Sequence, residues 1–225
     1  MPHLLIFGAS RGLGRGLAEE HLRRGWQVTA TVRGASSLDG LRKEYPDALR
    51  VEVLDTTDWS GVDALRAGLA GTSVDLLFVN AGISGPMVPI GEVHPGQFDN
   101  LMHVNVLAPL RIVDRFADLV PATGTAAAMS SQLGSIADNS SGGFDSYRIS
   151  KTALNMGLKS IAARRAGEGR TYLAVHPGWV QTDMGGPSAP LRVEDSVRGI
   201  ADMLERRRGA GGTAFVSYEN RELPW

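Results

Sequence analysis

The chain has 225 residues and no cysteine. Disulfide stapling is therefore excluded, and five histidines without a thiol give no zinc-type ligand cluster. Charge of one sign is equally scarce. Lys and Arg number 23 against 24 Asp and Glu, a net charge of −1, with no long run of either sign. That removes the electrostatic footprint of a protein that binds nucleic acid or an acidic membrane. No apolar run approaches the length of a membrane span. Met1-Pro2-His3 leads into a short apolar run without the basic segment and long apolar stretch of a secretory signal. A cytoplasmic protein is the expectation. Repeats, low-complexity stretches and linkers are lacking too. What remains is an ordinary globular composition, 43% hydrophobic and 21% charged. The length suits a single domain over residues 1–225 with its own core.

Short apolar runs alternate with helical patterns. His3–Phe7, Gln27–Val32, Arg50–Leu54, Val74–Val79, Thr125–Met129, Thr171–Val175 and Ala214–Tyr218 read as strands. Helices are expected near Gly12–Arg24, Leu38–Tyr45, Ser60–Leu69, Tyr147–Arg165 and Glu194–Arg207. Another is expected over Gln97–Leu119, where Phe98, Leu101, Met102, Val106, Leu110 and Val113 recur at three- and four-residue steps. The alternation predicts an α/β fold, a doubly wound parallel sheet of about seven strands with helices on both faces. Ligands of such sheets bind beyond the carboxyl ends of the strands, so the loops after the strands carry the candidate site.

The first of these is Gly8-Ala-Ser-Arg-Gly-Leu-Gly14. Glycines there permit a tight turn and let the backbone approach a pyrophosphate, which rests on the helix N-terminus. They could equally serve the turn alone. After the second strand comes Arg33 with no acid beside it, and Arg11 lies in the glycine loop. Two guanidiniums without a carboxylate favour a ribose 2′-phosphate over a free 2′-hydroxyl, hence NADP(H) over NAD(H). Asp55, after the third strand, could accept from an adenine amino group or cap the next turn. Asn80-Ala81-Gly82, after the fourth, could lie against a flat ligand or simply turn the chain.

Tyr147 and Lys151 are four apart on a predicted helix and so share one face. The ammonium is expected to pull the phenol below its usual value near 10 and make it a general acid or base. Ser131, after the Thr125–Met129 strand, could bind a substrate oxygen, with Ser130 and Ser135 as rivals.

With these residues assembled, the chain resembles the short-chain dehydrogenase/reductase family along its whole length. Gly8–Gly14 looks like the family's cofactor loop, with Ser10, Arg11, Gly12 and Leu13 inside it. Asn80–Gly82 looks like its motif after strand four, and Tyr147-Arg-Ile-Ser-Lys151 like its catalytic motif. Pro177-Gly178 with Thr182 looks like its nicotinamide-side loop. "MSSQLGSI", "GGFDSYRISKTALN" and "HPGWVQTDMGGPSAP" resemble the C-factor/sniffer-like carbonyl reductase branch in particular. Phe7 departs from the family's usual Thr, and Ser131 lies farther upstream of the tyrosine than in many members.

The resemblance implies roles. Tyr147 would exchange the proton with a carbonyl oxygen or alcohol. Lys151 would lower the Tyr147 pKa and bind the nicotinamide ribose, and Ser131 would orient the substrate oxygen. Asn105 would hold a water in the relay to Lys151. Asp55 and Thr56 are also expected among the cofactor-binding residues. Thr182 and the Val180 backbone would hold the carboxamide. The substrate is expected to be a neutral carbonyl or alcohol, with Leu133, Phe144, Trp179 and Met184 as candidate linings. A homodimer or homotetramer is implied. A cofactor-binding signalling or regulatory protein of the C-factor type is the alternative.

Overall fold

The computed structural model describes all residues from Met1 to Trp225. The chain folds as β1 (His3–Phe7), α1 (Gly12–Arg23), β2 (Gln27–Val32), α2 (Asp39–Glu44) and β3 (Leu49–Val53). Then follow α3 (Trp59–Gly68), β4 (Leu76–Val79), α4 (Pro95–Met102), α5 (Ala108–Phe116) and β5 (Thr125–Met129). The last part is α6 (Asp145–Arg164), β6 (Thr171–His176), α7 (Val193–Arg206) and β7 (Gly212–Ser217). All seven strands form one parallel sheet in the order β3-β2-β1-β4-β5-β6-β7.

The central strands are apolar without alternation because both faces are covered. Every residue of β1 and β5 is buried. Period two sorts their side chains into two cores. Leu4 and Ile6 join Leu17 of α1 and Val197 and Ile200 of α7 on one face. Leu5 and Phe7 join Val62 of α3, Ile112 and Phe116 of α5, and Leu158 of α6 on the other. The strand order reverses between β1 and β4, and at that switch point a crevice opens at the carboxyl ends. No helix is long and apolar enough to cross a membrane.

Two helices differ from the sequence expectation in ways that matter for the site. The long helix expected over Gln97–Leu119 is interrupted. A π-helical turn, His103–Leu107, separates α4 from α5, and a short 3₁₀ turn covers Ala117–Leu119. Pro109 explains the interruption: it has no N–H for the carbonyl of Asn105 four residues earlier, and its ring would collide with that carbonyl. The wider turn relieves this, with the Ala108 N–H bonding the His103 carbonyl five residues back. Helix α6 starts at Asp145, so Tyr147 lies within its first turn rather than at its first residue.

Candidate active site

At the switch point lies a cleft of about 1020 Å³. Its walls come from the loops after six strands. The first loop contributes Gly8, Ser10, Arg11, Gly12 and Leu13, and the second Arg33. Asp55 and Thr56 come after β3, and Asn80, Ala81 and Gly82 after β4. Tyr147 and Lys151 of α6 and Pro177, Thr182 and Met184 after β6 complete it. Asp99, Asn100, His103 and Val104 also line it. Sequence reasoning missed these four because nothing in an amphipathic pattern shows that α4 and its widened turn face the cleft.

The glycine loop is held by its own backbone. The Asn80 side chain donates to the Gly8 carbonyl (2.8 Å), and Thr31 Oγ1 accepts from the Gly8 N–H. A Cβ on Gly14 would lie 2.1 Å from the Gly8 oxygen, so Gly14 lets helix α1 pack against the strand end. Gly12 has φ +54, and a Cβ there would meet Thr182 Cγ2 at 3.6 Å, an ordinary contact. The start of α1 carries no side-chain cap and no acid in its first turn. Its free N–H groups and its position at the cleft wall fit the pyrophosphate of a dinucleotide.

The two arginines stand differently. Arg33 is exposed and has no ion-pair partner; its backbone N–H donates to Ser10 Oγ. Arg11 is already ion-paired with Asp183. Asp55 makes the turn bond weighed above: its Oδ1 accepts from the Thr57 N–H (2.8 Å) and hydroxyl (2.7 Å). Those bonds, chiefly, and more weakly the charge of Arg33, hold its carboxyl below the ordinary value.

The three serines separate by their partners. Ser130 donates to Asn155 Oδ1 (2.6 Å) and is buried. Ser135, also buried, accepts from the Asp138 N–H. Ser131 caps a short 3₁₀ turn through the Leu133 N–H, and its hydroxyl sits beside Tyr147.

Burial pushes the Tyr147 phenol up to about 12, opposed by a hydrogen bond from Ser131. The expected lowering by Lys151 does not occur in the free protein. Lys151 is itself buried, and that burial lowers its ammonium to about 8. Its Nζ donates to the Met129 carbonyl (2.9 Å) and stands 5.6 Å from the Tyr147 ring centroid. Desolvation therefore outweighs the charge of a neighbour that is only partly stable as a cation.

Asn105 is fully buried in the π-helical turn. Its Oδ1 accepts from the Ile83 N–H, and its Nδ2 donates to the Ile83 carbonyl, both at 2.8 Å. The second Nδ2 hydrogen goes to Ser150 Oγ (3.2 Å), which donates to the Tyr147 carbonyl (2.7 Å). Gly82 faces this group: a Cβ there would lie 3.3 Å from Asn105 Oδ1 and 3.5 Å from Lys151 Nζ.

Other expected residues stand back from the cleft. Gly178 (φ +85) packs its backbone against Leu191 and Tyr218, and Val180 is buried in a bridge to Leu191. Of the four candidate linings, only Met184 is part of the cleft wall. Leu133 lies behind Ser131, with its carbonyl toward Arg148. Phe144 is exposed in a left-handed conformation before α6, and Trp179 is exposed with its indole N–H on the Gly185 carbonyl. Neither aromatic is core.

Comparison with known proteins agrees with this geometry. The family model for short chain dehydrogenases matches residues 2–191. The C-signal protein of Myxococcus xanthus is 38% identical over 154 residues, 68% of this chain and 93% of that one. A short-chain dehydrogenase/reductase from Burkholderia multivorans, solved with bound NADP, superposes with a TM-score of 0.97 at 46% identity, covering 100% of this chain and 99% of that one. The carbonyl reductase Sniffer of D. melanogaster superposes with a TM-score of 0.91 at 30% identity, covering 100% of each chain. The match over most of the chain and the full-length superposition together show that the chain is a member of the short-chain dehydrogenase/reductase family.

Proposed function

We propose that this protein is an NADP(H)-dependent reductase of small neutral carbonyl compounds, with Asn105, Ser131, Tyr147 and Lys151 as its working residues. The observation that carries the reading is the Tyr147 phenol, beside Ser131 and Lys151, in the same cleft as an uncapped, glycine-built helix start. Bound nicotinamide would supply the hydride that reaches the carbonyl carbon. Tyr147 gives its proton to the carbonyl oxygen, which becomes the alcohol. Ser131 holds that oxygen toward the phenol. Lys151 stabilises the phenolate left behind and binds ribose hydroxyls, and Asn105 anchors the water that returns a proton through Lys151. Arg33 and Arg11 take the 2′-phosphate, Asp55 and Thr56 flank the adenine, and Thr182, which lines the cleft, holds the carboxamide. Exposed apolar Leu107, Ile149 and Met156 along the helices after β4 and β5 support a homodimer or homotetramer.

The likeness to C-signal supports a second reading, a cofactor-binding signalling protein with little turnover. The Tyr147 phenol beside Ser131, with Lys151 Nζ 5.6 Å from its ring centroid, speaks for the enzyme, because a binder has no use for a positioned proton donor. Paired titration with NADPH and NADH, followed by a carbonyl panel, tests both. A charge-assisted phosphate contact stabilises by about 1.5–3 kcal/mol, so NADPH binds about ten- to a hundredfold tighter. Equal binding refutes the cofactor assignment, and tight binding without turnover on any carbonyl favours the signalling reading.

A further inference from the structure

Arg11 and Asp183 lie 172 positions apart, yet they form an ion pair across the cleft. Arg11 is the last residue before α1, and Asp183 follows Thr182 in the loop after β6. The two loops also meet at Gly12, where a Cβ would lie 3.6 Å from Thr182 Cγ2. Both partners line the cleft, and both are largely exposed, with side chains 69% and 72% accessible. Asp183 makes no other side-chain ion pair, whereas Arg33, across the same pocket, has none at all.

Such a pair is easily exchanged. An exposed carboxylate and guanidinium attract each other weakly in water, while a phosphate dianion offers more charge and a better fit to the guanidinium fork. We propose that Asp183 is an internal placeholder for the cofactor's anion. It holds Arg11 in the free protein and yields it to the 2′-phosphate when NADP(H) binds. This rests on the NADP(H) reading above. It makes Asp183 a specificity-determining residue of unusual sign, since it opposes NADP(H) more than NAD(H). A dinucleotide without the 2′-phosphate leaves the pair in place and gives up nothing to it.

Dissociation constants for NADPH and NADH, read from cofactor fluorescence on the whole chain, test the exchange. The set is wild type, Asp183→Asn, Arg11→Gln and the double variant. Both positions are exposed, and thermal melts establish that each variant is folded. Asp183→Asn is expected to tighten NADPH about two- to fivefold, the span of an exposed ion pair. NADH tightens less, so the NADPH/NADH ratio rises. In the Arg11→Gln background the same change leaves the ratio where it was, because the coupling partner is gone. A ratio that falls or stays level in Asp183→Asn, while the wild type prefers NADPH, overturns the exchange alone. A rise that persists without Arg11 also overturns it. A wild-type ratio of one overturns the cofactor reading and the exchange together.

Discussion

Lys151 stands one helical turn beyond Tyr147, its Nζ 5.6 Å from the ring centroid, and still the phenol keeps its proton. The lysine faces the Met129 carbonyl and is weakened as a cation by the burial that also strengthens the phenol's hold on its proton. At neutral pH the resting pair is thus a loaded acid rather than a ready base.

Replacing Tyr147 by Phe removes that acid and little else. Carbonyl reduction falls by about 10²–10⁴-fold, the usual span for a lost general acid, while the NADPH dissociation constant moves little. Steady-state rates beside a cofactor titration check this. Normal turnover would show that the proton comes from elsewhere.

The pH dependence of reduction follows from Lys151. Its ammonium favours the phenolate formed on proton transfer, and it is lost as pH rises through about 8. Reduction is therefore expected to hold below that point and decline above it, long before the phenol itself ionises near 12. A rate profile with NADPH in excess checks the sign; a rate still climbing from pH 8 to pH 10 would contradict it.

The same lysine weakens the fold. Its folded pKa, about 8, lies below its ordinary 10.5, so between those values the unfolded chain binds more protons and stability rises with pH. Below that window the burial cost is fully present. Lys151→Met should raise Tm at pH 6, abolish activity, and lose much of its Tm advantage by pH 10. Melts of both proteins at the two pH values are the measurement.

Asn105→Ala leaves the Ile83 backbone and the Ser150 hydroxyl short of partners in a fully buried place. Stranded groups of this kind cost about 1–3 kcal/mol each, so urea unfolding should show a loss of about 2–4 kcal/mol. A loss below half a kilocalorie would mean that water takes over the three bonds.

The glycine loop predicts a contrast. Gly14→Ala drives a methyl to within 2.1 Å of the Gly8 oxygen, where only backbone can yield. It should destabilise by about 1–3 kcal/mol or more and disrupt cofactor binding with it. Gly12→Ala meets nothing nearer than 3.6 Å and strains only φ, a cost of about 1–2 kcal/mol. Parallel melts and titrations of the two variants rank them.

The sheet was legible because strands covered on both faces read as unbroken apolar runs. "HLLIF" and "TAAAM" admit no other comfortable place. The glycine loop and the Tyr147/Lys151 pair were legible from spacing. Three things were not. The interruption at His103–Leu107 hides within a good helical period, and only Pro109 hints at it. The ionisation of Tyr147 depends on how deeply two groups sink, which spacing does not encode. The pairing of Arg11 with Asp183 joins residues from opposite ends of the chain, and loop exposure decides that Phe144 and Trp179 stay outside the cleft.

The π-helical turn carries a consequence for sequence change. It holds one residue more than an α-helical turn, and everything after it is rotated by about 100° relative to an unbroken helix. Leu101 before it, and Ala108, Ile112 and Phe116 after it, are all buried with the wide turn in place. Deleting Val104 would turn α5 by about 100° against α4 and leave Pro109 opposite the Asn105 carbonyl with no wide turn to relieve it. Tolerance to single-residue deletion should therefore be lowest in this five-residue stretch, far lower than its exposed Leu107 would suggest.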